Sequence, residues 1–212
     1  MSLLDVLTVA VLAFVGVRIA QGTRFALSGT GRRRIAAIVR GVRWTHFALA
    51  VPTLAVVLLV AIALVEVPGL DFGWWTAIGG VGNPVTGTTD RTAGTALEWI
   101  IPLAFLTLLL PALPLFAEVE ERMFRLGSER RTRPQQARRG LEFGLAHALI
   151  GIPIGVALAL GIGGWYFTWW YLRGYRRTHD PHAAMLESTR AHLAYNTTIV
   201  GLIIVAVALG GA

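Results

Sequence analysis

The sequence predicts an all-α fold, a polytopic membrane helix bundle of about six transmembrane segments. Three observations predict it. Of the 212 residues, 55% are hydrophobic and only 15% charged, against about a quarter charged in a soluble domain. Apolar runs of about 20 residues, enough to cross a bilayer, recur along the chain. Nearly all the arginines fall between those runs.

The first run covers about Leu3 to Ala20. Its start, "MSLLDVLTVAVLAFVGV", has no basic residue and no small-residue cleavage site, so it reads as a retained spanning helix and not a signal peptide. Arg18, near its end, snorkels toward the interface. The second run, "FALAVPTLAVVLLVAIALVEV", covers about Phe47 to Val67. The third, "ALEWIIPLAFLTLLLPALPLFA", covers about Ala96 to Ala117, and Pro102, Pro111 and Pro114 are expected to kink it. Between Gly140 and Leu172 the only charge is Glu142. Dividing this stretch near Gly151–Pro153 gives a fourth segment carrying "EFGLAHALI" and a fifth ending in "WYFTWWYLR". The sixth runs from about Ala191 to Leu209. Most of the tryptophans, Trp44, Trp74, Trp75 and Trp99 among them, fall near segment ends as an aromatic belt does.

Net charge is +7, and all 19 basic residues are arginine. The stretches "TRFALSGTGRRRIAAIVRGVR", "RLGSERRTRPQQARR" and "RGYRR" are basic, whereas "PGLDFGWWTAIGGVGNPVTGTTDRTAG" has one Arg and two Asp. Cytoplasmic loops carry the positive charge. Both termini are therefore placed outside, with three basic loops inside, in a multi-pass cell-membrane protein. Orientation in a bilayer explains the arginines, and no nucleic acid is expected as a partner. With no cysteine, disulfides, thiol catalysis and cysteine-ligated zinc are excluded.

This topology brings three polar clusters to the cytoplasmic side. In "ALPLFAEVEERMFRLG", residues one helical turn apart share a face, so Glu118 can pair with Arg122 and Glu121 with Arg125. Such pairs are the ordinary furniture of a solvated helix end. Glu120 is different: its face neighbours Phe116, Ala117, Met123 and Phe124 are apolar, and burial penalises an ionised carboxylate. An ionisable group in such a place is a candidate functional residue, the plain alternative being a side chain that snorkels to the interface. His147 shares a face with Phe143, Gly144, Ile150 and Gly151, where the plain reading is a packing residue. His192 and Asn196 lie one turn apart, with Ser188, Thr189 and Tyr195 on that side. Together these clusters supply a carboxylate, two imidazoles and an amide at one depth. That set suits hydrolysis: carboxylate and imidazole deprotonate a water, and imidazole and amide donate to an oxyanion.

The order of motifs carries a resemblance. "EERMFR" fits E-E-x-x-x-R at Glu120, Glu121 and Arg125; "FGLAH" fits F-x-x-x-H at Phe143 and His147; "HLAYN" fits H-x-x-x-N at His192 and Asn196. The chain resembles the CPBP family of intramembrane proteases, which includes the type II CAAX prenyl endopeptidases and the bacterial Abi proteins. The match covers about the last hundred residues. The chain is read as one integral membrane domain over 1–212: apolar runs and charge give N-terminal helices, a basic cytoplasmic loop and an external loop in 1–95, where no family signature is evident, and the resemblance implies a CAAX-protease-like catalytic core in 96–212. It implies Glu120 as the base that activates water, His147 as its partner, and His192 with Asn196 as the oxyanion donors. Glu121 and Arg125 would fix the helix end, and Phe143 would pack beside the site. The chain departs from the family pattern where Leu126 intervenes before Gly127 and where Arg190 precedes the last motif.

The expected substrate is a peptide or protein, lipid-modified or membrane-inserted. No cofactor is expected. Were zinc present, Glu120, His147 and His192 would make a His₂Glu set, but the H-E-x-x-H spacing is absent. His179, Asp180 and His182 in "HDPH" read as a solvated loop, because Pro181 interrupts helical spacing. Two other functions fit the sequence: a nonproteolytic bacteriocin-immunity or membrane scaffold protein, and a proton-coupled transporter with Glu120, His147 and His192 as the relay.

Overall fold

The computed structural model describes residues 3–77 and 94–210; segment 78–93, most of the expected external loop, lies outside the described residues, as does the side chain of Trp99. The fold is all-α, with no strand among the described residues. The helices are α1 (Leu3–Leu27), α2 (Gly29–Val39), α3 (Trp44–Val65), α4 (Trp74–Ala77), α5 (Leu97–Phe124), α6 (Arg133–Ala146), α7 (Ile154–Thr178) and α8 (Pro181–Gly210). Short 3₁₀ turns cover Ser128–Arg130 and His147–Ile150.

Local chemistry sets the boundaries. Ser28 starts α2, its Oγ accepting the Gly31 N–H at 3.0 Å. Thr132 and Gln135 form a reciprocal capping box at the start of α6, with Pro134 in the first turn. The expected break at Gly151–Pro153 is present: Gly151 takes a left-handed φ of 91°, and α7 begins right after Pro153. Helix α5 runs unbroken through Pro102, Pro111 and Pro114 and on to Phe124, so the glutamates extend the apolar helix.

The "HDPH" stretch differs from the solvated loop expected of it. The chain is helical on both sides of His179–Asp180, and His179 makes the turn with a φ of 52°. Asp180 starts α8, its carboxylate accepting the His182 N–H at 2.8 Å. Proline at the first helical position is compatible with this start, which is why "HDPH" is a corner between helices and not a long loop.

Among the described residues one helix, α3, is long and apolar enough to cross a membrane, with a mean hydropathy of 2.8. Helix α7 is the hub, packing against α3, α6 and α8, while α5 packs against α1 and α8. Ala50 and Leu54 of α3, Phe124 of α5, Phe143 of α6, Phe167 of α7 and Tyr195 of α8 form one core cluster. The ends of α5 and α6 and the front of α8 therefore meet, which brings all three sequence motifs to one place.

The α6–α7 contact needs glycine. A Cβ on Gly144 would overlap the Ala157 carbonyl oxygen and lie 3.0 Å from Gly161 Cα; one on Gly164 would overlap the Gly140 carbonyl and lie 2.8 Å from Gly140 Cα. These neighbours are backbone and cannot rotate away. Gly144→Ala is expected to destabilise the protein by about 1–3 kcal/mol, the usual range for overpacking. Gly161→Ala, whose Cβ would meet Leu141 at an ordinary 3.4 Å, is expected to be neutral or slightly stabilising. SDS titration of both variants in mixed micelles checks this; equal effects would refute the packing argument.

Candidate active site

Three acids near the end of α5 point different ways, because successive helix positions are about 100° apart. Glu118 turns to α2, where its carboxylate accepts from Arg34 Nε at 2.9 and 3.0 Å and from Arg34 Nη2, with Arg122 Nη2 at 3.4 Å. Glu121 turns inward and is 0% exposed. Its Oε1 lies 2.9 Å from His192 Nδ1, and its Oε2 meets the Ser188 hydroxyl. That hydroxyl also lies 2.8 Å from the Phe167 carbonyl, so its one proton serves either acceptor. Glu120 stays at the rim, its side chain 33% exposed, with Oε2 3.6 Å from His192 Nε2.

This distribution corrects two expectations. Glu118–Arg122 and Glu121–Arg125 are not a solvated helix end: Glu118, Glu121 and Arg125 are all buried. Glu120, expected to be the acid among apolar side chains, is the accessible one of the three. The cause is tertiary, since α2 covers Glu118 and α8 covers Glu121.

Arg125 is also 0% exposed. Its Nη2 donates to the Gly164 carbonyl at 3.1 Å, and its Nε is 3.6 Å from Glu121 Oε2. The guanidinium carbon stands 4.3, 5.4 and 5.5 Å from the ring centres of Phe143, Phe167 and Phe124. Aromatic faces attract a cation, which offsets part of its desolvation. Nε and Nη1 have no hydrogen-bond partner among the described residues, so Glu121 is its principal electrostatic support.

His192 is buried and oriented from three sides. Its ring stacks on Phe167, centroids 4.1 Å apart at 20°, and Phe143 meets it edge-on at 5.6 Å. Glu121 accepts the Nδ1 proton, which leaves Nε2 turned to Glu120. His147 is placed differently. Its Nδ1 donates to the Phe143 carbonyl at 2.9 Å and its ring meets Phe143 at 5.0 Å, with no contact to Glu120. Thus the imidazole beside Glu120 is His192, and Phe143 is the residue that touches both rings. Asn196, half-buried one turn beyond His192, makes no side-chain hydrogen bond among the described residues. Phe167, which sequence reasoning missed, sits under His192; its position within "WYFTWW" held only a general aromatic signal.

The donor set can orient an imidazole between two carboxylates and expose one of those carboxylates to water. Among the described residues no three acidic or imidazole side chains converge as metal ligands. His147 is held by a carbonyl away from Glu120.

A second polar centre lies at the front of α8. Glu187, 5% exposed, accepts from Arg43, with Arg177 Nη2 at 3.2 Å, His46 Nε2 at 3.4 Å and Arg190 Nη1 at 3.6 Å. His46 accepts the Arg43 backbone N–H at Nδ1, so Nε2 carries the proton toward Glu187. Its ring rests on Trp170, 4.5 Å away. Burial alone would raise the Glu187 pKa, but the His46 hydrogen bond and the Arg43 and Arg177 charges outweigh it and hold the carboxyl at about 2. A carboxyl held below its unfolded value of 4.5 stabilises the fold fully above that pH, and the contribution disappears as pH falls toward 2. With Arg43 and Arg177 45% and 47% exposed and screened, it is on the order of 2 kcal/mol. Glu187→Gln is expected to lower stability at pH 7 and to flatten its decline between pH 4.5 and 2. Parallel pH-dependent melting curves for parent and variant would disprove this.

The chain matches no family model, no curated protein and no solved structure.

Proposed function

We propose that the chain is a multi-pass membrane protein and an intramembrane endopeptidase, similar to the CPBP family, that cuts a peptide bond near the cytoplasmic face. Six spans with both termini outside are the proposed topology. The outward apolar side chains of α3, including Val51, Leu58, Leu59 and Ile62, support a lipid-facing surface. The exposed apolar residues of α1 and α8, such as Phe14, Val17, Leu202 and Val205, support it too.

One observation carries the enzymatic reading: His192 is clamped on buried Glu121 through Nδ1 while Nε2 faces the accessible Glu120 at 3.6 Å. That separation is long for a direct hydrogen bond and suits a water held by both groups. Glu120 takes a proton from this water as it attacks the peptide carbonyl, and returns that proton to the leaving nitrogen as the tetrahedral adduct collapses and the C–N bond breaks. His192 donates from Nε2 to the developing oxyanion, and Asn196 adds an amide donor. Glu121 and Arg125 are positioning residues that fix the imidazole. His147, anchored through Nδ1, keeps Nε2 available as a second acid–base group; catalytic hydrogen bonds tighten when substrate binds. The substrate is a membrane-proximal peptide or protein segment, and no metal takes part in the scheme.

The test compares membrane-proteome termini in cells carrying the parent protein and cells carrying Glu120→Gln. Membrane-proximal termini present with the parent and absent with the variant are expected. Identical sets would reject proteolysis, and rescue of a cellular phenotype by the variant would then favour the scaffold role.

A further inference from the structure

A cleft of about 440 Å³ opens between α1, α2 and α5, on a side of α5 that Glu120 does not face. Arg18 of α1, Arg34 of α2, and Arg122 and Glu118 of α5 line it, three cations to one carboxylate. Glu118 engages Arg34 on two nitrogens and approaches Arg122, whereas Arg18 has no acidic partner among the described residues. The rest of the wall is greasy: Phe25, Leu115, Phe116 and Val119, with Gly22 letting Phe116 approach α1 closely. Surplus positive charge beside an apolar wall needs an occupant with an anionic head and a hydrocarbon body. Free phosphate would leave the wall wet, and a neutral lipid would leave the arginines unmatched.

We propose that this cleft binds an anionic phospholipid, its phosphate at Arg18, Arg34 and Arg122 and an acyl chain along Phe25, Leu115, Phe116 and Val119. Helix α2 supports the placement: it is short and basic, buries only Gly31 and Ile38, and follows the arginine-bearing end of α1, as an interfacial helix would. Arg34 joins α2 to Glu118, two residues before Glu120, so the lipid braces the helix end that carries the proposed base. The inference rests on the membrane placement proposed above and not on proteolysis.

Delipidated full-length protein in neutral detergent is titrated separately with phosphatidylglycerol, phosphatidylcholine and inorganic phosphate, with bound lipid read by native mass spectrometry and the melting midpoint recorded. Phosphatidylglycerol is expected to bind about tenfold more tightly than phosphatidylcholine, and phosphate alone to leave the midpoint unchanged. Arg18→Gln and Arg122→Gln, both on exposed side chains, are each expected to weaken phosphatidylglycerol about fivefold. Arg33→Gln removes the same charge from α2 outside the cleft and is expected to change binding less than about twofold. Equal losses in all three variants would mean diffuse surface attraction and overturn the site. Equal affinity for the two lipids, or full protection by phosphate, would overturn the occupant. Carbonate extraction of the parent from membranes tests the placement separately: release would sink that reading first.

Discussion

Glu120→Gln is expected to slow cleavage about 10³-fold, within the range of a lost general base, while leaving insertion and stability near the parent's. The amide keeps the size and shape of the carboxylate but takes no proton from water. The structural cost is small because Glu120 is a third exposed and makes no hydrogen bond among the described residues, with His192 Nε2 standing 3.6 Å from its Oε2. This separates it from the acids on either side. Glu118 holds α2 and Glu121 holds α8, so variants at those positions would lose activity and stability together. A substrate peptide from the terminus comparison allows single-turnover rates to be measured in membranes, alongside the unfolding transition. A variant that cleaves at the parent's rate ends the assignment of Glu120. A variant that loses activity only because it unfolds also fails, since the prediction requires a folded, silent protein.

The sequence showed where the helices would lie more clearly than which way their charges would face. Apolar length located α3, the glycine and proline at Gly151–Pro153 located the break before α7, and the motif order placed the ends of α5, α6 and α8 together. Helical-face counting, however, sees one helix at a time. It put Glu120 among apolar neighbours and Glu121 with Arg125 on a solvated face, whereas Ser188 and His192 of α8 bury Glu121, and Gly164, Phe143 and Phe167 enclose Arg125. The Arg34–Glu118 pair joins residues 84 apart, and His46–Glu187 joins residues 141 apart. No local period reports such pairings. Ser188 was the most legible of these, standing one turn before His192 on its own face. The "HDPH" corner misled for a related reason: it read as solvated in isolation, but Glu187, about two turns further along α8, gathers Arg43, Arg177 and Arg190 into one packed centre.

Removing either partner of the Glu121–Arg125 pair is expected to cost about 3–5 kcal/mol of stability, the range for leaving one buried charge unmatched. Arg125→Met leaves the Glu121 carboxyl at 0% exposure without its guanidinium, with His192 and Ser188 as its remaining partners among the described residues. Glu121→Gln leaves the guanidinium among three phenylalanine rings with Nε and Nη1 unpaired. Replacing both partners is a different perturbation, because apolar groups of similar volume avoid the desolvation altogether. The double variant Glu121→Leu/Arg125→Met is therefore expected to recover most of the lost stability. It is not expected to recover cleavage, since His192 Nδ1 then has no acceptor and the ring is free to turn away from Glu120. SDS titration of the parent, both single variants and the double variant gives the coupling energy, and the cleavage assay supplies the second reading. Single variants within about 1 kcal/mol of the parent would show that the pair does not behave as a buried ion pair. Restored cleavage in the double variant would show that Glu121 does not position His192.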